Sequence, residues 1–162
     1  MENKQIVVFK LMGHEFGMDI TKVLEILNYE EVRPVPNVPH YVEGIINVRG
    51  TVYPIFNLRK RLNMKPTENT SEAKFVLLHL EDVRVGFLVD SISEILAVDE
   101  ERVEKAPQML DKNRNSNKTI DYIIKEEDRM VIVLNVDSLI SEEENLFIQG
   151  VSDENDSGGN SK

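Results

Sequence analysis

Apolar residues along this chain come in short runs, each closed by charged or turn-forming residues. Residues 6–9 (IVVF), 16–20 (FGMDI), 75–78 (FVLL), 83–89 (VRVGFLV) and 130–136 (MVIVLNV) have strand length and strand composition. Residues 44–62 (GIINVRGTVYPIFNLRKRL) hold two more runs, joined at Arg49-Gly50. The second run contains Pro54, which donates no backbone hydrogen bond, so the pattern places it at a sheet edge or a bulge. Three stretches read as short helices: residues 21–27 (TKVLEIL), 91–96 (SISEIL) and 58–62 (LRKRL). In the first, Val23, Leu24, Ile26 and Leu27 would form one apolar face. Short strands broken by turns predict a barrel or a sandwich.

The pattern repeats. Residues 7–27 align with residues 76–96 at an offset of 69, with six identities: Val7/Val76, Leu11/Leu80, Gly17/Gly86, Glu25/Glu94, Ile26/Ile95 and Leu27/Leu96. Residues 45–62 align with residues 123–140 at an offset of 78, where Ile45, Ile46 and Asn57 meet identical residues. The extra length falls between Leu96 and Ile123 and includes KNRNSNK, which reads as a surface loop. The chain is therefore expected to hold two copies of one β-rich unit. Chance likeness between apolar strands is the competing account.

Composition narrows the chemistry. The formal net charge of −10 repels phosphate backbones and anionic lipid, so neither nucleic acid nor membrane is an expected partner. The same charge also serves solubility alone. No cysteine is present, which removes disulfides, thiol nucleophiles and thiolate metal sites and suits a cytoplasmic location. The start of the chain lacks the apolar core of a signal peptide, and no run approaches a membrane span. His14, His40 and His79 lack metal-ligand spacing, and no phosphate-cradling or nucleophile-elbow motif occurs. The carboxylates lie in solvated runs such as Glu30-Glu31, so no catalytic constellation, cofactor or metal site is expected. Pro34, Pro36 and Pro39 stiffen the approach to residue 42, as a shaped surface or as an ordinary connector.

Residues 44–62 closely resemble the signature of CheW-like domains, the adaptors of bacterial chemotaxis. The matching residues are Gly44, Asn47-Val48-Arg49-Gly50, Pro54 and Asn57-Leu58, and FGMDITKVLEI and VGFLVDSISEIL agree with the family as well. The likeness runs from about Gln5 to Ile140. It departs at residues 123–133 (IIKEEDRMVIV), where the family has glycine in the hairpin, so that turn is expected to be longer or differently shaped. The resemblance implies a mainly β fold of two small five-stranded barrels, of the SH3 or OB kind, packed together and free to exchange strands. It bounds a CheW-like domain at 1–146 and leaves 147–162 as an acidic, Gly/Ser/Asn-rich tail too polar to order.

It further implies a non-catalytic adaptor between the histidine kinase CheA and the cytoplasmic tip of chemoreceptors. The receptor surface would use Val23 and Glu25 from the first repeat and Phe75, Ile92 and Ile95 from the second, with Gly44 and Arg49. The kinase surface would lie on the first lobe, at Tyr29, Glu30, Glu31, Val32, Val42 and Glu43. Arg49 would be held by a rigid turn, presenting its donor fork to a partner or closing a local salt bridge. The apolar members could equally be core. An adaptor of a non-flagellar array, a barrel binding nucleic acid and an unrecognised hydrolase are the alternatives.

Removing residues 152–162 is expected to leave the fold intact, because that stretch has too little apolar surface to pack. Circular-dichroism melts of both forms check this; a melting temperature many degrees lower would make the tail part of the body.

Overall fold

The computed structural model of the chain describes residues 4–66, 69–80, 82–105 and 119–140. Its strands are β1 (Gln5–Leu11), β2 (His14–Asp19), β3 (Val23–Asn28), β4 (Val42–Val48), β5 (Thr51–Asn57), β6 (Lys74–Leu80), β7 (Val83–Val89), β8 (Ser91–Ala97), β9 (Val103–Glu104), β10 (Ile120–Glu126) and β11 (Arg129–Leu134). One helical turn, α1 (Leu58–Arg61), follows β5 and is capped by the Asn57 side chain, which accepts from the Lys60 amide. The expected turn at residues 58–62 is therefore present. Both the KNRNSNK loop and the tail lie outside the described residues.

Two stretches expected as helix are strands. Residues 23–28 alternate half-buried and exposed, and residues 91–97 extend along β1. The local reason is length and chemistry: six or seven residues rich in Ile and Val make a poor isolated helix and a good strand. The tertiary reason is that each has a waiting edge far away in sequence. β3 pairs with β6, and β8 pairs with β1.

The strands form two sheets, β8-β1-β2-β11-β10-β9 and β3-β6-β7-β5-β4. These correspond to two compact units, one of Met1–Lys22 with Asp90–Ile140, the other containing Val23–Val89. In the second unit, Arg33 leaves β3 and exchanges both backbone hydrogen bonds with Ile45 of β4, at 2.9 and 2.8 Å. That bridge joins the two ends of the sheet and makes it a five-stranded barrel. In the first unit, β9 follows β8 and pairs Glu104 with Ile123 of β10, so the sixth strand is a two-residue version of the same closure.

The repeat is visible in the registers. Leu27 faces Phe75 across β3 and β6; Leu96 faces Ile6 across β8 and β1. Ile55 lies beside Gly86 in a parallel pair, and Val133 beside Gly17 in another. Even the bulges coincide: Leu24 and Ser93 are the extra residues of β3 and β8, and Glu43 and Asp121 those of β4 and β10. Each repeat thus divides between the units, its first two strands in one and its third and later strands in the other.

Equivalent residues fill the two cores. Ile6, Val8, Ile124, Val131 and Val133 pack together in the first unit, with Leu96 half-buried against them. Phe75, Leu77, Ile46, Tyr53 and Ile55 do so in the second, with Leu27 half-buried. Gly17 and Gly86 occupy matching places where a Cβ would stand 2.8 and 2.6 Å from the Cδ1 of Ile6 and Ile55. Glycine there is a packing requirement, which explains its identity in both repeats.

Pro54 does not lie on an edge strand. β5 runs between β4 and β7, and the nearby bulge is opposite Ile55 and Phe56. The proline is tolerated for a different reason. Its pairing residue, Ile45, spends its amide and carbonyl on Arg33, and pairing with β7 begins only at Ile55. No ladder bond falls where the missing N–H would be.

Gly44 has φ +145°, and a Cβ there would stand 2.0 Å from the Arg33 carbonyl oxygen. Gly44→Ala must break the closing bridge and should cost on the order of 2–3 kcal/mol, or roughly 4–12 °C in melting temperature. Gly50 has φ +88° but open space around it. Gly50→Ala should cost only about 1 kcal/mol, from the backbone alone. Paired thermal melts check the order; equal losses would show that the bridge contributes nothing.

Candidate docking surfaces

In the second unit, alternation along β3 turns Val23, Glu25 and Leu27 partly inward and leaves Leu24 and Ile26 exposed, at 49% and 36%. Just beyond β3, Tyr29 is 38% exposed and tilted against Phe75 with ring centroids 5.5 Å apart. Exposed apolar side chains that follow one another along a strand form a candidate protein-binding surface. The surrounding charge does not oppose an apolar contact: residues 23–89 carry eight acidic and eight basic side chains, whereas residues 1–22 with 90–140 carry fifteen and ten.

Beside this strip lies the turn at Arg49-Gly50. Both residues have positive φ, +50° and +88°. Positive φ at both central positions is the geometry of a tight two-residue hairpin matched to strand twist. Asn47 holds the turn, its Oδ1 accepting from the Gly50 amide at 2.9 Å. Arg49 then forks across to β3 and donates through both terminal nitrogens to the Glu25 carboxylate. The hydrogen bond to Glu25 raises the guanidinium pKa, so Arg49 stays charged. The pair is open to water, with Arg49 72% exposed, so it adds little stability.

The sequence expectations divide here. Val23, Glu25 and Arg49 are accessible in the second unit; Ile92 is half-buried and Ile95 is 54% exposed in the first. Phe75 is fully buried beneath Tyr29 and presents no surface. Gly44 and Val42 are buried too, the glycine serving the Arg33 bridge. Glu43 is already engaged: it accepts from the Asn57 amide group at 3.1 Å and pairs with Lys60 at 3.3 Å. Tyr29, Glu30 and Glu31 are exposed, and Val32 packs half-buried against the core. The expected grouping by repeat also changes. Because β3 pairs with β6 and β8 with β1, Val23, Glu25 and Phe75 share one unit with all the kinase-surface candidates, and Ile92 and Ile95 belong to the other. Leu24 and Ile26 were not expected as surface; the alternation of 23–28, read with period two, would have turned them outward.

The first unit carries a tighter ion cluster. Arg129 of β11 donates to Glu15 of β2 at 2.7 and 3.1 Å and to Glu94 of β8 at 2.5 Å, and Ser93 donates to Glu15 at 3.1 Å. The hydrogen bond from Arg129 lowers the Glu15 pKa, against an opposing push from burial. The neighbouring β10–β11 turn has two residues, like the Arg49-Gly50 turn. It differs from that turn in shape: of its two residues only Glu127 has positive φ, +47°. Among the described residues no group of His, Asp or Glu could hold a metal ion, and no helix is long and apolar enough to cross a membrane.

Because Glu15 ionises more readily when folded, its stabilising effect is complete above the unfolded carboxylate pKa of about 4.3 and is lost as pH falls through the folded value. Glu15→Gln should therefore cost about 1–2 kcal/mol at pH 7, and the gap from wild type should close below about pH 4. Urea titrations of both proteins across that range check it; a gap independent of pH would mean that the loss is one of packing.

A family model described as "CheW-like domain" matches residues 5–144, so it spans both units. The chain is 31% identical over 140 residues to chemotaxis protein CheW of Bacillus subtilis (strain 168), covering 86% of this chain and 88% of that protein. It is 35% identical over 147 residues to chemotaxis protein CheW of Treponema pallidum (strain Nichols), covering 88% and 85%. The crystal structure of the scaffolding protein TtCheW from Thermoanaerobacter tengcongensis superposes with a TM-score of 0.77 at 26% identity, over 88% of this chain and 96% of that one.

Proposed function

The chain belongs to the CheW-like domain family, and from that premise we propose that it is a cytoplasmic, non-catalytic adaptor that couples chemoreceptors to the histidine kinase CheA. The observation that carries this reading is the extent of the match, which covers both units at 85–88% of two proteins that are themselves called chemotaxis protein CheW. An adaptor needs surfaces rather than a reaction centre, and the accessible apolar strip at Leu24 and Ile26, with Tyr29 just beyond it, supplies one.

The kinase contact uses that strip, with Glu30, Glu31 and Val32 at its end. Barrel-to-barrel docking suits it, since flat apolar surfaces exclude water over a whole strand. The receptor contact uses Val23, Glu25 and Arg49 on the second unit. A receptor tip is a helical hairpin, and helices dock through apolar anchors with a few polar guides. The Glu25–Arg49 fork is such a guide, held in place before the partner arrives.

Calorimetry with a CheA regulatory domain and with a receptor-tip fragment tests the reading. Each should bind without any cofactor, and a folded protein that binds neither would end it. Ile26→Asp should weaken kinase binding by about ten- to a hundredfold, the loss expected when one Ile no longer buries (~1.5–3 kcal/mol). Its melting temperature should stay near wild type, because the side chain already faces water. Arg49→Ala should weaken assembly by on the order of tenfold and shift stability by less than about 1 kcal/mol. Wild-type binding by Arg49→Ala would place the fork outside the contact.

A further inference from the structure

We propose that the two sequence halves, residues up to 66 and residues from 69 onward, are each other's docking partners, so that a half can be supplied by a second copy of the chain as well as by its own. The grounds are in the strand pairing. β1 to β5 belong to the first half and β6 to β11 to the second. The first unit is assembled from β1 and β2 of one half and β8 to β11 of the other, joined by β1·β8 and β2·β11. The second unit is assembled from β3, β4 and β5 of one half and β6 and β7 of the other, joined by β3·β6 and β5·β7.

Alone, the halves retain only hairpins, one of them extended by the two-residue β9. The first keeps the hairpins β1–β2 and β4–β5, and the second keeps β6–β7 and β10–β11 with β9. Two-stranded hairpins are marginal in water. Both cores are divided the same way. Ile6 and Val8 come from one half and Ile124, Val131 and Val133 from the other; Ile46, Tyr53 and Ile55 meet Phe75 and Leu77. An isolated half would expose strand edges and apolar faces that only the opposite half fits.

Among the described residues the connection between the halves contributes no strand. Asn57 lies beside Leu88, and Leu88 beside Phe75. The ends to be joined are thus two strand spacings apart, roughly 10 Å, which the residues between α1 and β6 span with length to spare. Covalent continuity there serves mainly to keep the halves at high effective concentration.

The test uses the full-length chain with a protease recognition sequence inserted after Pro66, cleaved once folded. The cut protein should elute as one species with an unchanged circular-dichroism spectrum. After unfolding in urea and dilution, its refolding rate should rise tenfold for each tenfold rise in protein concentration, whereas the uncut insertion variant should show no dependence. Cut protein carrying an N-terminal affinity tag, refolded with isotopically heavy untagged cut protein, should capture heavy second halves, identified by mass spectrometry. Refolding of the cut chain at a concentration-independent rate would overturn the proposal. So would failure of the cut chain to refold where the uncut variant succeeds, or capture without heavy halves.

Discussion

The pairing of β3 with β6 and of β8 with β1 is the constraint on which the rest of the molecule depends. Each pairing joins strands of the two repeats in one sheet, whose ends the Arg33–Ile45 bridge or β9 then brings together. Closure is what lets short, strongly apolar strands exist without an exposed sheet edge. It also sets what faces water. Once β3 is registered against β6, Val23, Glu25 and Leu27 turn partly inward and Leu24 and Ile26 cannot. Shifting that register by one residue would reverse the two sets. The exposed apolar strip is therefore a consequence of the pairing rather than a feature added to it.

Much of this architecture was legible in the sequence. The repeat identities at Gly17/Gly86 and Glu25/Glu94 mark structural equivalents, because glycine clears the same core position twice and glutamate meets an arginine twice. The strands at 6–9 and 75–78 were plain because their burial on both faces writes them as unbroken apolar runs. What misled was the stretch TKVLEIL. Its apolar residues fit a helical face as well as a strand, and only a partner some fifty residues away decides between them. Phe75, Val42 and Gly44 illustrate a second limit. A residue in a family signature can be there because the fold needs it, and burial of a side chain is a property of the whole sheet that no local pattern reports.

The two bulges on the exchanged strands explain why the hairpin tips carry arginine. Leu24 and Ser93 are the unpaired extra residues of β3 and β8, so the ladder is weakest where each strand enters its barrel. One residue beyond each bulge stands the shared glutamate, Glu25 or Glu94. In the second unit the turn residue Arg49 reaches it; in the first, Arg129, two positions further along the hairpin, does the same and takes Glu15 as well. The position equivalent to Arg49 is then free to become Glu127. The same cross-link is built from two different hairpin positions, so the glutamate–arginine contact, not either arginine position, is what the two units share. Its exposure limits its energetic share to a fraction of a barrel's stability. Its value is directional: it fixes the strand beside a bulge, and in the second unit that strand is the one presenting Leu24 and Ile26. The charged residue at a tight turn thus connects the local chemistry of a hairpin to the exposed apolar strip of the second unit.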